Sequence, residues 1–98
     1  MPGPGTLPTK ERLILERLVE GPAFGQQLVD QSGGALKRGT VYVTLSRMEA
    51  KGLVTSEQEA QPAGAIGLPR RIYRVSGLGE RLLAAWDRFQ QELGMEAR

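Results

Sequence analysis

Ninety-eight residues, 40% of them apolar and 24% charged, can build one modest hydrophobic core but not two separate domains. The chain has no cysteine and no histidine, which excludes disulfides, thiolate or imidazole metal sites and Ser–His catalysis together. A net charge of +2 is too small to mark the whole surface as a polyanion binder, so a nucleic-acid reading must rest on where the charges sit.

The start, Met1-Pro2-Gly3-Pro4-Gly5, has neither the basic region nor the apolar run of a signal peptide. Residues 1–8 read as a flexible arm. No apolar run approaches the length of a membrane span, so the expectation is a soluble, cytoplasmic protein. Thr9 is a candidate cap for a first helix through Glu20, with Leu13, Ile14, Leu18 and, on the flank, Val19 facing inward. Gly21-Pro22 ends it. A second helix over Ala23–Gln31 turns Phe24, Leu28 and Val29 inward and stops at Ser32-Gly33-Gly34. Ala35-Leu36 is expected to form a short strand.

The third helix runs from Arg38 to about Lys51, with Val41, Leu45 and Met48 as its buried stripe. Gly39, Val43, Ser46, Arg47 and Ala50 occupy the opposite arc. Small residues beside one arginine suit a helix whose backbone must enter a major groove closely. Gly52 is a natural residue just past a helix end. Leu53–Glu59 reads as a strand, Ala60–Pro69 as a Pro/Gly-rich turn and Arg70–Val75 as the returning strand. Ile72 and Arg74 point one way; Arg71, Tyr73 and Val75 point the other. Ser76 caps a last helix that ends by Gly94, before a tail over residues 95–98. The position three after the cap is Gly79, not the glutamate of a capping box. Leu78, Leu82, Trp86, Phe89 and Leu93 line one face of this helix, a longer and more aromatic stripe than the back of so small a domain needs. The order of elements is α+β, mostly α: a winged helix-turn-helix over residues 9–75, with a three-helix core and a two-stranded β wing, followed by a C-terminal helix over residues 76–94.

Charge is segregated along this order. Residues 37–74 hold seven Lys/Arg against three acids, and each flank holds three bases and four acids. The excess therefore sits in the third helix and the wing, the footprint expected for phosphate contact. Arg70 and Arg71 at the wing base are the first candidates; being adjacent on a strand they face opposite ways, so one of the two is expected to meet phosphate. Lys37, Arg38, Arg47 and Lys51 follow, with Arg47 placed to reach a guanine. Thr40, Thr44 and Ser46 can donate to a phosphate or base edge. Tyr42 sits at the edge of the buried stripe, where its ring is expected to pack into the core, and Val43 lies on the exposed arc. The bland reading of each is a solvated surface side chain. Glu11, Glu16, Glu20, Glu80, Asp87 and Glu92 are spread over helix faces and form no acid–base pair. Gly64-Ala65-Ile66-Gly67 lacks the ending of a phosphate loop. No enzyme, cofactor or metal is expected.

These residues resemble the PadR family of bacterial transcriptional regulators. Gly21-Pro22-Ala23-Phe24-Gly25 resembles the family's turn into helix two. Arg38-Gly39-Thr40-Val41-Tyr42-Val43-Thr44-Leu45, with Met48-Glu49-Ala50-Lys51-Gly52-Leu53-Val54, resembles its recognition helix. Pro69-Arg70-Arg71-Ile72-Tyr73-Arg74-Val75-Ser76, with Gly79 after it, resembles the wing strand and the entry to helix four. Val43 stands where the family commonly has proline, and the length resembles the short subgroup.

The resemblance implies a homodimer joined through helices one and four, two reading helices in successive major grooves of double-stranded DNA, the Tyr42 ring packed into the core with its hydroxyl at the DNA backbone, and repression relieved by a ligand. Some relatives stack flat aromatic compounds on aromatic residues of helix four. For Leu78, Leu82, Trp86, Phe89 and Leu93 the expectation is a dimer seam ahead of a site for a small aromatic effector, because nothing polar converges there to orient one. The alternative from another class is a winged-helix protein-interaction or architectural module without a specific operator.

Overall fold

The computed structural model describes residues 7–60, Gly64 and residues 70–96. Most of the expected turn, residues 1–6 of the arm and the last two residues of the tail lie outside them. Four helices and three strands follow in the order α1 (Thr9–Val19), β1 (Ala23–Phe24), α2 (Gly25–Gln31), α3 (Arg38–Ala50), β2 (Val54–Gln58), β3 (Arg71–Val75) and α4 (Gly77–Glu96). The expected helices and both wing strands are present, with boundaries shifted by one or two residues.

Ile14, Leu15 and Leu18 of α1, Leu28 of α2, and Val41, Leu45 and Met48 of α3 form the centre of the core, closed by Leu53, Val54, Tyr73 and Leu83. Leu7 is buried in this cluster, so the arm joins the fold one residue before the Pro8 cap of α1. Thr9 is therefore the first helical residue rather than the cap. Leu15 is buried where the sequence reading had Val19, which is half exposed.

The third strand of the sheet is not where the sequence placed it. Ala23–Phe24 leaves the helical register and pairs antiparallel with β3, giving the order β1-β3-β2. Ala35–Leu36 instead closes a turn in which Ser32 Oγ accepts the Leu36 N–H at 3.0 Å and donates to the Val29 carbonyl at 2.8 Å. In the wing, Ser56 lies opposite Tyr73 and Gln58 opposite Arg71. Alternation puts Val54, Ser56, Tyr73 and Arg71 on one sheet face and Glu57, Arg70, Ile72 and Arg74 on the other.

The end of α3 and the start of α4 are fastened together. Gly52, with φ +79°, lets the Leu53 N–H return to the Met48 carbonyl and its own N–H to the Glu49 carbonyl, closing the helix end. Ser76 caps α4 as expected: its Oγ accepts the Gly79 N–H at 3.0 Å and donates to the Gly52 carbonyl at 2.6 Å. From there α4 spans 20 residues, about 30 Å of helix. Leu83, outside the expected stripe, is the apolar side chain it buries in the core, and Leu82 and Trp86 pack at the margin. Beyond Trp86 every residue through Gly94 is exposed except the half-buried Phe89.

Candidate nucleic-acid interface

The periodicity of α3 sorts its residues into four sectors. Val41, Thr44, Leu45 and Met48 face the core. Gly39, Val43, Ser46 and Ala50 are exposed opposite them, a ridge with no side chain larger than Val43. On one flank Arg38, Tyr42 and Glu49 turn toward the wing. On the other, Thr40, Arg47 and Lys51 turn toward the start of α1.

The wing-side flank forms a cleft. Phe24, Gly25 and Gln26 from the β1–α2 junction, Arg38 and Tyr42 from α3, and Arg70, Arg71 and Tyr73 from the wing enclose about 620 Å³. The Tyr42 ring lies so close over Gly25 that a Cβ there would sit 2.5–2.8 Å from ring and hydroxyl atoms. Only glycine lets the ring lie there, which accounts physically for the Phe24-Gly25 step. Tyr42 is 42% exposed, so its ring faces the cleft instead of packing inward. Tyr73 is buried and packs the wing against the core; burial raises its phenol above the ordinary tyrosine value, against a smaller opposing pull from Arg71.

The cations of this region separate by partner. Arg70 is held by the Glu59 carboxylate, with Nη2 3.0 Å from both oxygens and Nε 3.2 Å from one, and its guanidinium lies 4.1 Å over the Phe24 ring. Arg74 pairs loosely with Glu57 at 3.6 Å. Lys51 donates to both oxygens of Glu11 at 2.8 and 3.0 Å. Among the described residues no carboxylate pairs with Lys37, Arg38, Arg47 or Arg71. Arg71 donates instead to Ser56 Oγ at 3.1 Å. All four are exposed.

Two sequence-derived candidates change character. Thr44 is only 6% exposed and lines the seam against Pro8, Thr9, Lys10 and Glu11, so its hydroxyl is withdrawn from the outer face of α3. Lys51 serves the fold: Glu11 is 5% exposed, and its carboxylate is compensated by that ammonium. Lys51→Ala is expected to destabilise the protein by about 1–3 kcal/mol, because it strands a desolvated carboxylate. In a Glu11→Gln background the same change should cost much less. Equal losses by urea denaturation in both backgrounds would contradict this role.

Sequence reasoning missed Glu49, Ser56 and Glu59 as members of the site. The hairpin register carries a signal for Glu59, which pairs with Arg70 across the strands (Glu59 N–H to the Arg70 carbonyl, 2.7 Å).

Comparisons with known proteins agree with this architecture. The family described as "Transcriptional regulator PadR-like family" matches residues 14–85. Transcriptional regulator Rv3488 of Mycobacterium tuberculosis is 37% identical over 78 residues, covering 80% of this chain and 68% of that protein. A PadR-like transcription factor from Bacteroides fragilis superposes with a TM-score of 0.80 at 25% identity, over 90% of this chain and 85% of the other. Bacillus subtilis PadR, solved in complex with operator DNA, has the same fold, with a TM-score of 0.69 at 20% identity over 80% of this chain and 46% of that one.

Proposed function

The chain belongs to the PadR-like family of transcriptional regulators, and from that premise we propose that it is a cytoplasmic repressor that binds an inverted-repeat operator as a homodimer. The observation that carries this reading is the sorting of charges around α3. Lys37, Arg38, Arg47 and Arg71 are exposed and without carboxylate partners among the described residues, on either side of a ridge of small side chains. An unpaired cation yields its whole charge to a phosphate, whereas one already paired must first give up a carboxylate. Thr40, Tyr42, Val43, Ser46 and Arg47 are the residues placed to touch the groove. Arg38 and Arg71 hold backbone phosphates across the cleft, and Arg71 takes that part ahead of Arg70.

The exposed apolar stripe of α4 supports the dimer. Leu78 and Leu93 are 46% and 45% exposed, and the Trp86 and Phe89 rings stand 6.2 Å apart with little cover beyond them. A second copy laid along this helix would bury the aromatic pair as an interface anchor. A small aromatic effector would enter at the same rings and loosen the seam. Two-fold symmetry then requires half-sites centred roughly 34–36 Å apart.

Selection of bound fragments from host genomic DNA tests the proposal; an enriched inverted repeat upstream of a gene is expected. Affinity for that repeat should fall about a thousandfold or more between roughly 50 and 200 mM salt. Salt-sensitive binding without enrichment would leave an architectural role instead, and binding to a protein partner without salt dependence would remove DNA from the account.

A further inference from the structure

The one acidic residue of α3, Glu49, does not repel the wing; it holds it. Its carboxylate oxygens lie 2.9 and 3.0 Å from Ser56 Oγ on β2, and the same Oγ accepts the Arg71 guanidinium from β3 at 3.1 Å. The three residues thus form a chain running from the reading helix through the near wing strand to the far one. The hydrogen bonds have a direction: Arg71 donates to the serine oxygen, and the serine hydroxyl donates to the carboxylate. Such a chain polarises along its length, so the negative end improves Ser56 as an acceptor for Arg71.

We propose that Glu49 and Ser56 are positioning residues for DNA recognition, fixing the angle between wing and reading helix and aiming Arg71 without neutralising it. This rests on the DNA-binding reading above. The contrast within the wing carries the argument. Arg70 sits directly on a carboxylate, with three of its N–H···O contacts spent on Glu59. Arg71 is separated from its carboxylate by a neutral hydroxyl and spends one contact. A guanidinium has five N–H donors in a planar fork, so most of the Arg71 fork is left for a phosphate. Register makes the arrangement specific: Ser56 faces Tyr73, and Arg71 lies one pair along on the same sheet face. Tyr73 is buried against the core, which anchors the middle of this face. No other hydroxyl of β2 shares it, since Thr55 points to the opposite side.

Removing the serine has a second consequence. With Ser56→Ala the Arg71 and Glu49 side chains are free to pair directly, and the cation is withdrawn from DNA. The test is a double-mutant cycle on the full chain. The probes are a duplex selected by the protein from a random-sequence pool and a scrambled duplex of equal length. Ser56→Ala is expected to weaken binding to the selected duplex roughly three- to tenfold and to lower the slope of log K against log salt by about one. In an Arg71→Ala background it should do neither, and Ser56→Thr should restore both. A merely structural serine would cost the same with and without Arg71 and leave the salt slope alone, which would overturn the proposal. So would unchanged binding by Ser56→Ala. The free protein gives an independent reading by NMR. Hindered rotation of the Arg71 guanidinium is expected in the wild type and lost in Glu49→Gln, and a freely rotating wild-type guanidinium would equally overturn it. If the relay is seen by NMR while the random-sequence pool yields no bound duplex, the DNA-binding reading has failed, and the proposed positioning role falls with it.

Discussion

Gly79→Ala is expected to destabilise the fold by about 2–3 kcal/mol, lowering the melting temperature by roughly 10–20 °C. The sign is opposite to the usual one. Inside a helix, glycine to alanine normally gains up to about 1 kcal/mol by removing backbone freedom from the unfolded chain. Here a Cβ would run into the Leu53 carbonyl oxygen, and would stand 2.9 Å from Val75 Cγ2 and 3.1 Å from Leu15 Cδ2. The carbonyl cannot retreat, because it accepts the Ser76 N–H at 3.0 Å. Nor can the helix start, which the Ser76 hydroxyl ties to both Gly52 and Gly79. Relief would require α4 to lift away, and Leu83 would leave the core with it. Gly94→Ala is the matching control: nothing lies within 4 Å of a Cβ there, so its stability should be unchanged or slightly raised. Chemical denaturation of both variants decides the matter, and a Gly79→Ala protein as stable as the wild type would show that α4 is not seated on Leu53 as described.

Gly79 also shows where the sequence could and could not be read. Its departure from the capping box was visible, but the reason was not, since it lies in a backbone oxygen 26 positions earlier in the chain. The buried stripe of α3 was legible because Val41, Leu45 and Met48 repeat at helical spacing. The strand Ala23–Phe24 was not: two residues carry no alternation, and they are extended because β3 offers them a partner. On α4, the apolar residues Leu82 and Leu83 adjoin, and spacing alone favours the one aligned with Trp86 while packing into the core buries the other more deeply. The basic cluster is visible in the sequence as a region. Within it, the ranking of arginines depended on carboxylates that sequence distance conceals. Lys51 finds Glu11 across 40 positions, and Arg70 finds Glu59 only once the hairpin closes. Local periodicity thus reports which side a residue faces, and tertiary pairing decides whether its charge is still available.

Arg47→Ala is expected to cost about 1–3 kcal/mol of operator affinity, a loss of roughly ten- to a hundredfold, with a much smaller loss on scrambled DNA. The position separates the two effects. Arg47 stands at the edge of the ridge formed by Gly39, Val43, Ser46 and Ala50, exposed and without a carboxylate partner among the described residues. Its removal therefore leaves the core and the helix ends intact, and the melting temperature should not move. On the proposed reading, a ridge of small side chains would let α3 lie deep in the groove and bring a mid-helix guanidinium within reach of base edges, where its planar fork could grip guanine bidentately. Arg47→Lys keeps the charge and loses the fork; it should retain most of the affinity for scrambled DNA while losing preference for the operator. Arg71→Ala provides the contrast, weakening both duplexes alike and lowering the salt slope by about one. Equal losses on operator and scrambled duplex for Arg47→Ala would move Arg47 to the phosphate-binding group and leave base recognition to Val43, Ser46 and the shape of the groove.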